Sequence, residues 1–335
     1  MVECLGVIDL NVLGKQILQA FIFGVILPGI MCSLAAHFHI SGNALREPED
    51  FQEYAPDHTE SNAEIPVLHN GEITMMELET YIGSVLLGEV SASFDEEALK
   101  AQAVAARTYT LRCILGGDKH PQGAVCTDYR CCQAYRDSEE YLASGGTREG
   151  LNKIIRAVEE TGGEVLYYGN DLICATYYAS SGGRTEDAKE VWGQAYPYLV
   201  AVDSPGEEGC GYFWKTMTFE SQEFQDALGV NLSGEPSDWF GIVTHTVGEG
   251  VDLIRIGGKL YTGVELRNKL GLRSTIFTVT TTDNTVTFET KGYGHRVGMS
   301  QHGANAMAQD GYDYREILGH YYPGTTLSPY LSDSD

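Results

Sequence analysis

Apolar residues first mass between Ile17 and Ala36, where ILQAFIFGVILPGIMCSLAA runs for 20 residues without a charge. About 20 residues of helix cross a hydrocarbon core, and one proline is tolerated there. The run predicts a transmembrane anchor over 17–36 behind a short cytoplasmic terminus, 1–16, with Lys15 as its single cation. A cleaved secretory signal ending at Ser33-Leu34-Ala35 is the other reading. Both place the rest of the chain outside the cytoplasm. Residues 37–64 form an acidic linker, since Ser41 to Glu64 is polar and lacks apolar periodicity.

From Thr74 onward apolar residues fall at Met75, Leu78, Ile82, Val85 and Leu86. That is helical spacing, and the helix ends near Glu89. Asp95 reads as the N-cap of a second, alanine-rich helix running to about Arg112, with Glu96 and Glu97 in its first turn. The two make a helical hairpin. Another helix is expected near Leu151 to Thr161, and strands over GEVLYYG (163–169) and DLICATYYAS (171–180). Helices follow over Glu220–Leu228 and Thr262–Leu270. IFTVTTTDNTVTFET is a hairpin turning at Asp283-Asn284, and two short helices, punctuated by Gly311 and Pro323, close the chain. Helices mixed with antiparallel hairpins give an α+β domain over 65–330. It is expected to be two-lobed around a cleft, with the second lobe at 204–261.

Charge narrows the function. The chain of 335 residues carries a formal net charge of -25. No basic surplus exists to neutralise phosphates, so nucleic acid is excluded as a partner. Charge-driven docking on an anionic membrane or wall polymer is disfavoured too. A negatively charged substrate would have to be met by a few local cations.

Four carboxylates lie around the helical hairpin. Asp95, Glu96 and Glu97 sit where a helix N-terminus favours the ionised form. Glu89 sits at a helix C-terminus among Leu86, Leu87, Gly88 and Val90. There the dipole and the apolar neighbours both raise a carboxyl pKa, as a general acid at neutral pH requires. A surface Glu at a frayed helix end fits the same spacing. Lys100 and Arg107 stand on one helical stripe, with Ala103 and Val104 between them. They are either solvated or placed to meet a carboxylate or sugar oxygens. His120, Cys126 and Cys132 are spaced six and six, with Cys131 adjacent. One imidazole and two thiolates supply three of the four positions of a zinc site, whereas a Cys126–Cys132 disulfide suits an external chain. His295, His302 and His320 raise a zinc-dependent peptidase, although no HExxH spacing is present.

Glu89 followed by EALKAQAVAARTY (Glu97 to Tyr109) resembles the signature of the stage II sporulation protein D family, the SpoIID/LytB domain. VCTDYRCCQAY (125–135), YYASSGGRTEDAKEVWG with PYLVAVDSP (177–205), and GHRVGMSQHGANAMA with ILGHYYPGTTL (294–327) resemble its other signatures, in order. The resemblance implies a lytic transglycosylase acting on peptidoglycan during engulfment in sporulation. Glu89 would be the sole acid/base, cutting between N-acetylmuramic acid and N-acetylglucosamine in peptide-stripped strands to leave a 1,6-anhydro end. Lys100, Arg107, Tyr109, Tyr178, Ser181 and Arg184 would line the cleft. His120, Cys126 and Cys132 would hold a structural zinc, Cys132 being preferred because it precedes Gln133 as the family's cysteine does. A peptide-stripping amidase/endopeptidase and a polytopic membrane protein are the implied partners. A non-catalytic amidase enhancer is the alternative within the same domain family. The chain departs from the pattern at Val90-Ser91, where Met-Pro is common, at Arg296, where Gly is usual, and at His302, where Tyr is usual.

Overall fold

Asn70 and Gly71 both take positive φ, 50° and 86°. They close a tight hairpin between β1 (Glu64–His69) and β2 (Glu72–Glu77). The computed structural model describes residues 63–117 and 119–330 of the 335. The expected anchor and all but the last two residues of the linker lie outside the described residues. Among those described, no helix is long and apolar enough to cross a membrane.

The hairpin corrects one expectation. Residues 74–77 are strand rather than helix, and α1 begins only at Leu78 and ends at Glu89. Met75 and Met76 face cross-strand partners Pro66 and Ile65 instead of a helical neighbour. Helix α2 (Glu96–Gly116) is capped by the Asp95 side chain, which accepts from the Glu97 N–H at 3.1 Å. It stops at Gly117, whose φ of 69° suits a left-handed C-cap. β3 (Val125–Cys126) then joins β1 in parallel.

The remaining elements run α3 (Ser138–Ala143), α4 (Arg148–Glu160), β4 (Glu164–Tyr168), β5 (Asp171–Leu172), β6 (Tyr177–Tyr178), α5 (Ala188–Trp192), β7 (Trp214–Glu220) and α6 (Ser221–Leu228). They continue with β8 (Phe240–His245), β9 (Val251–Ile256), β10 (Lys259–Thr262), α7 (Gly263–Leu270), β11 (Ile276–Thr281) and β12 (Thr285–Lys291). β13 (Met299–Ser300), α8 (Gln301–Gln309), α9 (Tyr314–Tyr321) and β14 (Thr326–Pro329) complete the chain. Small sheets and nine α-helices among the described residues make the fold α+β. Of DLICATYYAS, only 171–172 and 177–178 pair as strands, because the segment between them turns from β4 toward β13.

There are two hydrophobic cores. In the first, α2 is buried around most of its circumference, between α1, α4, α8 and α9. Ala98, Ala101, Ala103, Ala105 and Ala106 let those neighbours approach closely. The second core is aromatic: Phe219, Phe224, Trp239, Phe277 and Phe288 pack among β7–β12 and α6–α7, with Phe224 stacked on Trp239 at 6.0 Å.

Arg296, fully buried at φ 68°, bridges the segments between these cores. Its guanidinium donates to the carbonyls of Ser181 and Arg184, both at 2.9 Å, to Gly248 O, and to Thr275 Oγ1 at 3.1 Å. Glu186 Oε2 balances its charge from 3.5 Å. A left-handed residue other than glycine costs about 1–2 kcal/mol. These contacts account for an arginine holding that conformation.

Candidate active site

Glu89 is the last residue of α1, and its half-buried carboxylate faces a pocket of about 680 Å³. The neighbouring backbone positions it. At Gly88 a Cβ would lie 2.7 Å from Tyr135 N and 2.9 Å from Ala134 C, so the missing side chain lets the 134–135 segment press against the helix end. The Ala134 N–H consequently donates to Glu89 Oε1 at 2.6 Å. From the opposite wall Gln301, the first residue of α8, donates its amide to Oε2 at 3.4 Å. Burial raises the Glu89 pKa, and these two donors pull it only partly back.

The 131–136 segment is itself fastened. The Gln133 amide donates to Thr110 Oγ1 at 2.8 Å, and its carbonyl accepts from the Tyr177 hydroxyl at 2.7 Å. The Arg136 N–H donates to Ser84 O at 2.9 Å. The turn after Glu89 is held by the Asp95 N–H, which donates to Asn305 Oδ1 at 2.7 Å, and by Lys153, which donates to Phe94 O.

Among the residues lining the pocket, Glu89 is the sole carboxylate, whereas Arg130, Arg136 and Arg267 are cationic. In a chain of net charge -25 this is a local excess of cations, although Arg130 forks onto Asp128 at 3.0 and 3.1 Å just outside the lining. Burial, with Arg267 beside it, pushes His295 down to about 3, and burial lowers His302, so both rings are neutral in the wall. Tyr129, Tyr212 and Tyr293 stand exposed at the rim.

The candidate ligands separate into two groups. Tyr109 and Tyr178 line the pocket with Glu89. The Tyr109 hydroxyl accepts from Lys119 at 3.1 Å, and the Tyr178 hydroxyl is buried without a partner among the described residues. Lys100, Arg107, Ser181 and Arg184 are placed elsewhere. Lys100 bridges Glu97 and Glu160, both at 2.8 Å. Arg107 is 0% exposed and forks onto Glu79, with its Nη2 at 2.7 Å, while also donating to the carbonyls of Glu164 and Val158. Ser181 donates to Glu207 at 2.6 Å, and Arg184 pairs with Asp203 and donates to Val247 O. The small residues between Lys100 and Arg107 admit packing helices, not a ligand. The pocket arginines escaped the sequence reading because Arg130, Arg136 and Arg267 come from a loop and a distant helix that share no periodicity.

His120, Cys126, Cys131 and Cys132 place one ligand atom each within 4.8 Å of one another. His120 Nε2 lies 3.3 Å from Cys131 Sγ and 3.6 Å from Cys132 Sγ. A tetrahedral zinc at its usual bond lengths spaces its ligands by about 3.3–3.8 Å. The four residues therefore fit such an ion, and Cys131 and Cys132 both belong to the set. The sulfurs are free thiols. Hydrogen bonds from Cys131 and Cys132 hold the Cys126 thiol far below its ordinary range, while those same bonds push Cys131 and Cys132 up, so the three sulfurs share a single thiolate. His295, His302 and His320 are not gathered in this way. His295 lies against Tyr178 and Trp192, His302 against Phe94 and Tyr212, and His320 bonds to Asp203 O at 2.7 Å.

Residues 69–168 match the family model described as stage II sporulation protein, SpoIID. The chain is 37% identical to stage II sporulation protein D of Bacillus amyloliquefaciens, over 87% of this chain and 85% of that protein. It is 39% identical to the protein of the same name from Bacillus subtilis strain 168, over 80% of each. It is also 31% identical to an amidase enhancer of Bacillus subtilis, over 73% of this chain and 40% of that protein.

Proposed function

The chain belongs to the stage II sporulation protein D family, and we propose that it is a cell-wall enzyme of sporulation, a lytic transglycosylase acting on peptide-stripped glycan strands. One observation carries this reading: the pocket holds a single carboxylate, with a raised pKa, among three arginines. Hydrolytic glycosidases ordinarily use two carboxylates, one to protonate the leaving oxygen and one to activate water or attack the sugar. With one, the same group must serve twice.

Protonated Glu89 donates to the glycosidic oxygen as its bond to C1 of N-acetylmuramic acid breaks. The resulting carboxylate then takes the proton of the muramyl 6-hydroxyl as that oxygen bonds to C1. The product is a 1,6-anhydro end, Glu89 regains its proton, and no water is consumed. Ala134 and Gln301 steady the carboxylate between the two transfers. Arg136 and Arg267, with Arg130 where it exchanges Asp128 for the strand, suit the lactyl carboxylates that peptide removal exposes. The cleft expected between two lobes is, in this reading, the pocket where Arg267 of α7 meets the walls of the first core.

Zinc, where bound, would be held by His120, Cys126, Cys131 and Cys132 and would supply structural cross-linking only. Those residues brace Cys131–Cys132, two positions ahead of the Ala134 donor. Anchoring through 17–36 would keep the domain outside the cytoplasm. There it would work after an amidase/endopeptidase and beside a polytopic membrane protein.

Incubation with peptide-free strands should yield anhydromuramyl ends, and Glu89→Gln should slow their release by about 10²–10⁴-fold. Reducing ends or released peptides would contradict the proposal. The similarity to an amidase enhancer favours a second reading, a non-catalytic wall-binding module. Strand binding without any cutting would favour that one.

A further inference from the structure

Trp214 opens β7 directly opposite Lys291, the last residue of β12. The Lys291 ammonium sits 5.0 Å from the Trp214 ring centroid. Alternate residues of a strand share a face. Trp214, Thr216 and Thr218 are therefore exposed, while Met217 and Phe219 turn toward the second core. The pairing continues past the strand ends, since the Gly292 N–H donates to Phe213 O at 2.7 Å. That brings Tyr212 and Tyr293 together with ring centroids 5.7 Å apart. The Arg273 guanidinium covers both rings, at 5.8 and 5.3 Å. Tyr212 and Tyr293 also line the Glu89 pocket.

A continuous row of rings and cations thus leaves the pocket and crosses onto the outer face of the β7–β12 ribbon. Tyr212, Tyr293 and Trp214 are 44%, 43% and 48% exposed, so the folded core does not account for them. Single exposed aromatics need no explanation, but a contiguous row joined to a pocket marks a binding surface. Flat ring faces stack on sugar faces, and the cations offset carboxylates in an otherwise acidic molecule.

We propose that Trp214 and Lys291, continuous with Tyr212, Tyr293 and Arg273, form an outer carbohydrate subsite that grips the anionic glycan strand beyond the cleavage pocket. The proposal rests on the reading that the strand enters the pocket at Glu89. It makes long strands better ligands than short ones, because only long strands reach Trp214.

Binding can be measured separately from cutting in the Glu89→Gln chain, by calorimetry with peptide-free strands of several disaccharides and with a single disaccharide. Adding Trp214→Ala should weaken long-strand binding about 3–10-fold, the contribution of one aromatic contact. Disaccharide binding should be equal in both chains, and Trp214→Tyr should restore most of the loss. Lys291→Ala should weaken long-strand binding and reduce its salt dependence. Long-strand affinity unchanged by Trp214→Ala, or lost equally for the disaccharide, would overturn the subsite. A wild-type chain that binds strands but leaves them intact would sink the transglycosylase reading, while the same binding comparison still decides the subsite.

Discussion

Glu89 answers to opposed demands. Burial at a helix C-terminus favours its neutral form, and the donors at Ala134 and Gln301 favour its anion. In the proposed reaction the first suits it to give a proton, and the second suits it to take one back. The sign of its pH dependence follows. Cleavage begins from the protonated acid, so the rate should fall as pH rises through the Glu89 pKa. Gln301→Ala removes a donor to the anion. Its pKa should rise further, and the alkaline limb of the kcat/KM profile should move to higher pH. An unmoved limb, or one at lower pH, would count against the assignment. A carboxyl raised in the folded state contributes stability below its unfolded pKa, and that contribution is lost as pH rises through the folded value. Glu89→Gln should therefore melt at or above the wild-type temperature at neutral pH.

At the scale of elements, the α1–α2 hairpin was legible because caps and periodicity act locally. Asp95 caps α2 as its position implies, and α1 ends at Glu89. The β1–β2 hairpin was not read, because the apolar spacing through Met75 extended the helix back over β2 and hid the Asn70-Gly71 turn. What Lys100 and Arg107 do was not legible, since apart from Glu97, three residues before Lys100, their charged partners lie 28 and 60 residues away in the chain. Arg107 is a packing residue by geometry: it ties α2 to Glu79 of α1 and to the end of α4. Removing one member of such a buried pair costs about 3–5 kcal/mol. Arg107→Ala should show that loss in denaturant unfolding. Glu79→Gln, which keeps an acceptor, should lose less. Full stability with only a raised KM would return Arg107 to substrate binding.

The whole molecule sets an acidic surface around a cationic pocket. The total charge was readable from composition, whereas the pocket's sign was not, because a fold and not a sequence interval gathers Arg130, Arg136 and Arg267. The thiol and imidazole cluster was readable except for one of its four members. Spacing and resemblance identified His120, Cys126 and Cys132, and only the folded loop adds Cys131 to the set. Purified chain should carry about one zinc, and Cys126→Ser should lose it. Metal removal should lower the melting temperature, by roughly 2–4 °C per kcal/mol lost. Metal-free protein of full stability would refute the site. A transglycosylase completes its reaction with one carboxylate and without water. Digesting peptide-free strands in heavy-oxygen water, and weighing the new ends by mass spectrometry, tests this most directly. The prediction is 1,6-anhydro ends free of label. A heavy oxygen at each new end would mean hydrolysis and would contradict it.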